Sequence, residues 1–268
     1  MVTQEQVRQY RDEGYLKVEG LFSPEEVGEL GSEMVRIISE WGQETIGWHG
    51  PWRERYLKAD EQQTTKAVFL HNPQHYSATW GRVLFHEGLT SSISKLVSPT
   101  MQWHHTVLHA KPPTLGTPFP MHQDYPFYPH EYPHEYPHEG ADFIDCLVHL
   151  DDAPAESGCL HVVPNSHLGG PLEHITGAHT APHLPTDDYH PDKIETVSIP
   201  AQAGDVIFFS YLTIHWSDCN RTGEWRKGVR IGFHDAGMRP AGKDPSEAYN
   251  NTIATGFKSK PEAASAGS

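Results

Sequence analysis

Cysteine is scarce in this chain. Only Cys146, Cys159 and Cys219 occur among its 268 residues. The number is odd and no pair has zinc-finger spacing, so neither a disulfide framework nor a structural zinc site is expected. Three small buried thiols in a reduced, cytoplasmic protein are the expectation instead. Long apolar runs are also missing, which argues against a membrane span. The opening Met1-Val2-Thr3-Gln4-Glu5 lacks the apolar centre of a signal peptide, and the closing Ala266-Gly267-Ser268 is no peroxisomal address. Positive charge is short: 20 Lys and Arg against 35 Asp and Glu give a formal net charge of −15. That excludes nucleic acid as a partner and disfavours a large polyanionic substrate unless the site is locally positive. Twenty histidines soften the charge estimate at mildly acidic pH.

What is present reads as one globular unit. At 37% hydrophobic and 21% charged residues, the chain is long enough for a single large barrel-type domain. That domain is assigned to residues 1–255, with a polar, mobile tail over 256–268. Thr3 and Gln6 form a capping-box pattern ahead of a helix over 3–13. A short strand, Tyr15 to Val18, follows. Ser23, Pro24 and Glu26 then start a second helix whose apolar Val27, Leu30, Met34, Ile37 and Ile38 recur at helical spacing to about Trp41. Residues 42–64 read as loop, and 78–97 as one helix stopped before Pro99.

From Met101 onward the pattern is of strands, at 101–111, 118–124, 143–150, 159–163, 194–199, 205–209, 211–215 and 226–235. Glycines at 116, 158, 204 and 223 separate several of them. Many short strands after a helical layer predict a mainly β fold with flanking α: a double-stranded β-helix (jelly roll, cupin-like) with helices on one face. One segment is a repeat. Pro-His-Glu-Tyr occurs at 129–132 and 133–136 and begins again at 137–139. Prolines every fourth residue forbid a regular helix or ladder, so a surface loop is expected there, placed as a lid if it has a function.

The chemistry-bearing signal is His122-Gln123-Asp124, with His215 far downstream. Residues two apart on a strand share a face, so His122 and Asp124 point together while Gln123 points away. Two imidazoles and one carboxylate on one face of an octahedral Fe(II) leave the opposite face open, the facial-triad arrangement. Arg226, one strand beyond His215, offers a planar guanidinium that matches a carboxylate bidentately. Arg230 shares the face of Arg226 if that strand is regular, and could then hold an anionic group of the substrate. A bulge would turn it to solvent.

With those residues in place, the chain resembles the phytanoyl-CoA dioxygenase family of Fe(II)/2-oxoglutarate-dependent oxygenases. The resemblance rests on Lys111-Pro112-Pro113 leading into Pro118 to Asp124, on Gly158 to His167, on Ala203-Gly204-Asp205-Val206, and on His215-Trp216-Ser217 through Arg226-Lys227. It spans roughly residues 3 to 240. It implies Fe(II) on His122, Asp124 and His215, with 2-oxoglutarate and O2 as cosubstrates. It further implies the distal carboxylate of 2-oxoglutarate on Arg226 and Ser217, with Lys66 and His104 in the same pocket. Leu147 stands where some members carry a tryptophan. The reaction implied is oxidation of a small organic metabolite, with release of succinate and CO2. The carboxylate at Asp124 favours hydroxylation over halogenation. Two alternatives stay open at this point: a cupin-like metalloenzyme that does not use 2-oxoglutarate, and a catalytically silent binding protein on the same fold.

Overall fold

The computed structural model describes residues 2–127, 143–177 and 180–235. The Pro-His-Glu-Tyr repeat and the tail from 256 lie outside the described residues. The chain opens with α1 (Gln4–Glu13), β1 (Tyr15–Val18) and α2 (Pro24–Trp41). Both helices carry the capping boxes read from the sequence, Thr3 with Gln6 and Ser23 with Glu26. Then come β2 (Gln43–Thr45), α3 (Arg53–Tyr56) and β3 (Ala67–His71), so the region read as loop holds a strand and a helical turn.

The helix read over 78–97 is two: α4 (Ala78–Val83) and α5 (Glu87–Leu96). His86 makes the break. Its backbone is extended, its imidazole Nδ1 accepts the Leu89 N–H at 3.2 Å, and its ring stacks on Phe22. It therefore acts as a helix N-cap where apolar spacing alone shows continuity. The strands that follow are β4 (Met101–Lys111), β5 (Phe119–His122), β6 (Phe143–His149), β7 (Leu160–Val162), β8 (Ile175–Gly177) and β9 (Thr180–His183). The last four are β10 (Val197–Ile199), β11 (Val206–Ser210), β12 (His215–Ser217) and β13 (Arg226–Asp235).

The two principal sheets are antiparallel. The larger runs β1-β11-β6-β13-β4-β3-β2 and the smaller β10-β7-β12-β5. This is the predicted jelly roll with helices against one sheet. Side-chain alternation sorts the large sheet. Ile144, Cys146, Val148, Val206, Phe208, Val229, Ile231 and Phe233 join Met34, Ile37, Trp80, Leu89 and Ile93 in a core under the helices. The residues between them point the other way. Leu147, Ile207 and Phe209 meet Cys159, Leu160 and Val162 of the small sheet between the two layers. Both faces of the central strands are thus covered, which is why they read as continuous apolar runs rather than alternating ones.

One expected strand is displaced. Residues 211–214 form a buried turn, and the strand starts at His215. The turn closes through Thr213 N–H to Ser210 O at 2.9 Å, and Thr213 Oγ1 donates to Gly14 O at 2.8 Å. It contains no glycine or proline, so nothing in its composition marks it as a turn.

Candidate metal centre and cosubstrate pocket

Cross-strand pairing of β12 with β5 sets His215 directly opposite His122. Asp124 lies two residues beyond β5's last pair-forming histidine, its N–H held by Tyr211 O at 2.9 Å. The ligand atoms of His122, Asp124 and His215 lie within 4.8 Å of one another, and all three residues are buried. Each imidazole Nε2 is 3.7 Å from one Asp124 oxygen.

Backbone carbonyls fix both rings. His122 Nδ1–H donates to Pro120 O at 2.7 Å, and His215 Nδ1–H donates to Thr213 O at 2.9 Å. Each ring therefore turns an unprotonated Nε2 toward the shared centre, the tautomer a metal needs. Burial, then the neighbouring His215, pushes the His122 pKa well below the ordinary value, and burial also lowers that of His215. Burial alone would raise the pKa of Asp124. Arg230, then the two histidines, outweigh it and keep the carboxyl ionised. Two neutral imidazoles and a carboxylate, converging and buried, fit a divalent iron with an open face.

Gln123 points the other way, as read, and straps the segment down. Its Nε2 donates to Gly170 O at 3.0 Å and Leu212 O at 2.8 Å, and its Oε1 accepts Leu172 N–H at 2.8 Å. Gln123→Ala should cost on the order of 3 kcal/mol in denaturant unfolding, because buried backbone groups lose their partners. A loss below about 0.5 kcal/mol, the range of an inert surface change, would show that the strap is dispensable.

Beside the triad is a cavity lined by Trp48, His109, Phe119, Leu147, Leu160, Phe209, Ser217, Arg226 and Arg230. Arg226 is 3% exposed. Its Nε has no hydrogen-bond partner, and burial brings its pKa down to about 10. No carboxylate among the described residues pairs with it at ion-pair distance. A buried guanidinium without a counterion, facing a cavity, is a seat for a carboxylate.

Arg230 also faces inward, because the irregularity in β13 lies beyond it, between Gly232 and Phe233. Its guanidinium pairs with Asp124 and has its Nε 3.8 Å from Asp145 Oδ1. Ser217 lines the cavity two residues past His215, as the resemblance implied.

Two expected pocket residues are elsewhere. Lys66 is 54% exposed at its side chain and pairs with Glu44 at 3.1 Å. Its neighbours Thr65 and Ala67 take the inward positions, so alternation turns Lys66 out. His104 is the extra residue of a β-bulge, opposite the step where the β4–β13 register jumps from His105 to Trp103. The bulge packs it against His105, Phe143 and His234 rather than the cavity.

Residues not singled out from sequence complete the site. Trp48 stands edge-on to His122 and Phe119, with ring centroids 4.9 Å away in each case. Its loop is held by buried Arg53, which donates to the carbonyls of Ile46, Trp48 and Gln62. The clustering of Gly and Trp in that loop was the available signal. Asp145 stands behind Arg230, 3.4 Å from His105 Nε2.

Relatives carry the same reading. The chain is 27% identical, over 88% of its length and 80% of the relative's, to a Stutzerimonas stutzeri protein named "Probable alpha-ketoglutarate-dependent hypophosphite dioxygenase". It is 24% identical, over 87% of its length and 81% of the relative's, to a methylphosphonate hydroxylase of Gimesia maris. Its fold superposes on that of the epimerase SnoN, crystallised with Fe3+, alpha-ketoglutarate and nogalamycin RO. There the TM-score is 0.68 at 22% identity, covering 90% of this chain and 87% of that one. The family profile "Phytanoyl-CoA dioxygenase (PhyH)" matches residues 10–228. A buried His-Asp-His cluster on a jelly roll and a family match over most of the chain lead to one conclusion: the protein belongs to the phytanoyl-CoA dioxygenase family and is an Fe(II)- and 2-oxoglutarate-dependent dioxygenase.

Proposed function

We propose that this enzyme hydroxylates a small anionic substrate, with Fe(II) on His122, Asp124 and His215, 2-oxoglutarate on Arg226 and Ser217, and the substrate anion on Arg230. The observation that carries the reading is the pair of arginines on one face of β13, both lining the cavity beside the triad. One cation suits the cosubstrate's distal carboxylate. The other, Arg230, pairs with Asp124 and lines the same cavity, where it can also face a substrate anion. Bound Fe(II) and 2-oxoglutarate supply the oxidising chemistry. The chain's own residues orient the partners, exclude water and hold the two carboxylate-binding charges at fixed separation. Trp48 and Phe119, ring to ring at 4.9 Å, form an apolar wall of the cavity that keeps the reacting region dry.

Size supports a small substrate. The free space beside the triad, about 50 Å³, is far below the range usual for small-molecule sites, and the site must take both cosubstrate and substrate. Two relatives with near-full coverage bear the names of enzymes of hypophosphite and methylphosphonate, both small phosphorus oxyanions. The negative overall charge, relieved locally by Arg226 and Arg230, fits a compact anion better than a polyanion.

No helix among the described residues is long and apolar enough to cross a membrane. The three cysteines are buried free thiols, which supports work in a reducing cytoplasm.

The test is a succinate-release screen of phosphonates, carboxylates and their neutral analogues, with wild type and Arg230→Ala. Anions should stimulate turnover, and Arg230→Ala should raise their KM about 30-fold or more, the usual effect of losing a charge-assisted partner. Stimulation by neutral analogues alone, or an unchanged KM in Arg230→Ala, would refute the anionic class.

A further inference from the structure

A buried lysine behind the cosubstrate pocket has no role in the reading above. We propose that Lys111 is a positioning residue that turns the Ser217 hydroxyl toward the distal carboxylate of 2-oxoglutarate. This rests on the assignment of Arg226 and Ser217 to that carboxylate.

Lys111 ends β4 and is 1% exposed. Its inward direction follows from alternation, since Leu108 and Ala110 belong to the core under the helices. Its close partners are all uncharged. Nζ donates to Ser217 Oγ at 2.8 Å, to the Asp218 carbonyl, and to Gly158 O at 3.5 Å. Three N–H groups thus meet three acceptors. The ammonium also lies 5.3 Å from the centre of the Phe119 ring, which lines the cavity.

The seat is built around this side chain. Gly158 sits at φ +74°, and a Cβ there would collide with the Asp218 carbonyl and come 2.9 Å from Lys111 Nζ. A Cβ at Gly116 would come 2.6 Å from Lys111 Cβ. Asn220 Nδ2 donates to Lys111 O and Pro112 O, both at 3.1 Å, and so fixes the backbone at the strand's end.

The consequence follows from counting protons. A serine hydroxyl has one proton to give and two lone pairs. With Lys111 donating into Ser217 Oγ, that oxygen accepts on this side and must give its own proton elsewhere. Ser217 opens on the cavity beside Arg226. Its proton is therefore directed where the distal carboxylate would lie, and the ammonium behind it adds positive potential. Burial, then the charge of Arg226, lowers the Lys111 pKa well below the ordinary lysine value, and an anion in the pocket would raise it again and favour the ammonium. An uncompensated buried charge has little to recommend it for stability, and an apolar residue of similar shape would serve the fold as well or better. Its presence beside the pocket is explained by ligand binding.

The experiment is calorimetric titration of anaerobic, Fe(II)-loaded protein with 2-oxoglutarate and with 2-oxopentanoate, which lacks the distal carboxylate. Wild type, Lys111→Met, Lys111→Gln, Ser217→Ala and the Lys111→Met/Ser217→Ala double variant are compared. Lys111→Met should weaken 2-oxoglutarate roughly tenfold or more, as for loss of a hydrogen bond to a charged group. It should leave 2-oxopentanoate within about twofold, the scatter expected where no contact is lost. The double variant should bind no worse than Ser217→Ala alone, and Lys111→Gln, which keeps one donor, should recover part of the affinity. Should Lys111→Met fail to fold, Lys111→Gln takes its place, with weakening confined to 2-oxoglutarate as the expected result. Unchanged 2-oxoglutarate affinity, equal weakening of both ligands, or additive effects in the double variant would overturn the proposal. Arg226→Ala is the control: if it too binds 2-oxoglutarate normally, the cosubstrate assignment itself fails. If Arg226→Ala weakens binding and the Lys111 variants do not, only the Lys111 proposal fails.

Discussion

Replacing His122 or His215 by alanine is expected to weaken Fe(II) binding several hundred-fold and to abolish succinate formation. Four-ligand zinc sites bind with about 10–16 kcal/mol, so one ligand carries on the order of 3–4 kcal/mol. That corresponds to a few hundred-fold in affinity. The positions leave no substitute. Each ring is buried and locked by a backbone carbonyl, and the group meeting both Nε2 atoms is Asp124. Neither histidine fills the main hydrophobic cores, so alanine at either should leave the melting temperature within a few degrees. Asp124→Ala differs. It removes a close ion-pair partner of the part-buried Arg230, so it should cost stability as well as iron. Iron titration under anaerobic conditions and a succinate assay check all three. Near-normal succinate production by His122→Ala or His215→Ala would refute the metal assignment.

The triad was legible in the sequence because its geometry is local at one end and topological at the other. His122 and Asp124 are fixed by strand alternation, and a strand such as β12 needs only to pair with β5 to bring His215 across. Strand β13 was legible to its last residue, whereas the direction of Arg230 stayed open in the sequence and was settled by a register shift that falls beyond it, between Gly232 and Phe233. The failures have equally physical causes. Lys66 was placed by the resemblance alone, which does not choose a face. Arg53 Nη2 bonds Thr65 Oγ1 and Thr65 is buried, which puts Lys66 outside. His104 was displaced by a bulge that no sequence signal announced. The turn at 211–214 was read as strand because its polar needs are met by distant groups. Gln123 Nε2 bonds Leu212 O, and Asp124 N–H bonds Tyr211 O. Turn residues are normally recognised by how they satisfy their own backbone. Here the metal segment does it for them. Lys111 was in view within Lys-Pro-Pro, yet burial of a lysine at a strand's end depends on the glycines opposite it, which only the fold brings together.

Arg226→Ala should give the largest effect on the cosubstrate. Loss of a charge-assisted pair with a carboxylate costs roughly 2–5 kcal/mol. That is a weakening of about 30-fold to several thousand-fold. Fe(II) affinity should barely change, because among the described residues Arg230, not Arg226, pairs with the ligand Asp124. Arg226→Lys should recover only part of the loss, since an ammonium lacks the planar fork. Stability offers an independent readout. Arg226 is buried without a carboxylate among the described residues, so its removal should not lower the melting temperature of ligand-free protein, and Arg226→Met should raise it. With 2-oxoglutarate at a hundred times its dissociation constant, wild type gains about 2.7 kcal/mol from binding. The alanine variant should gain almost none at the same concentration. Thermal melts with and without 2-oxoglutarate therefore separate a ligand-binding role from a structural one. A large drop in the ligand-free melting temperature would make Arg226 a structural residue instead. Normal 2-oxoglutarate binding by Arg226→Ala, with binding lost in Arg230→Ala, would mean that the two arginines exchange roles.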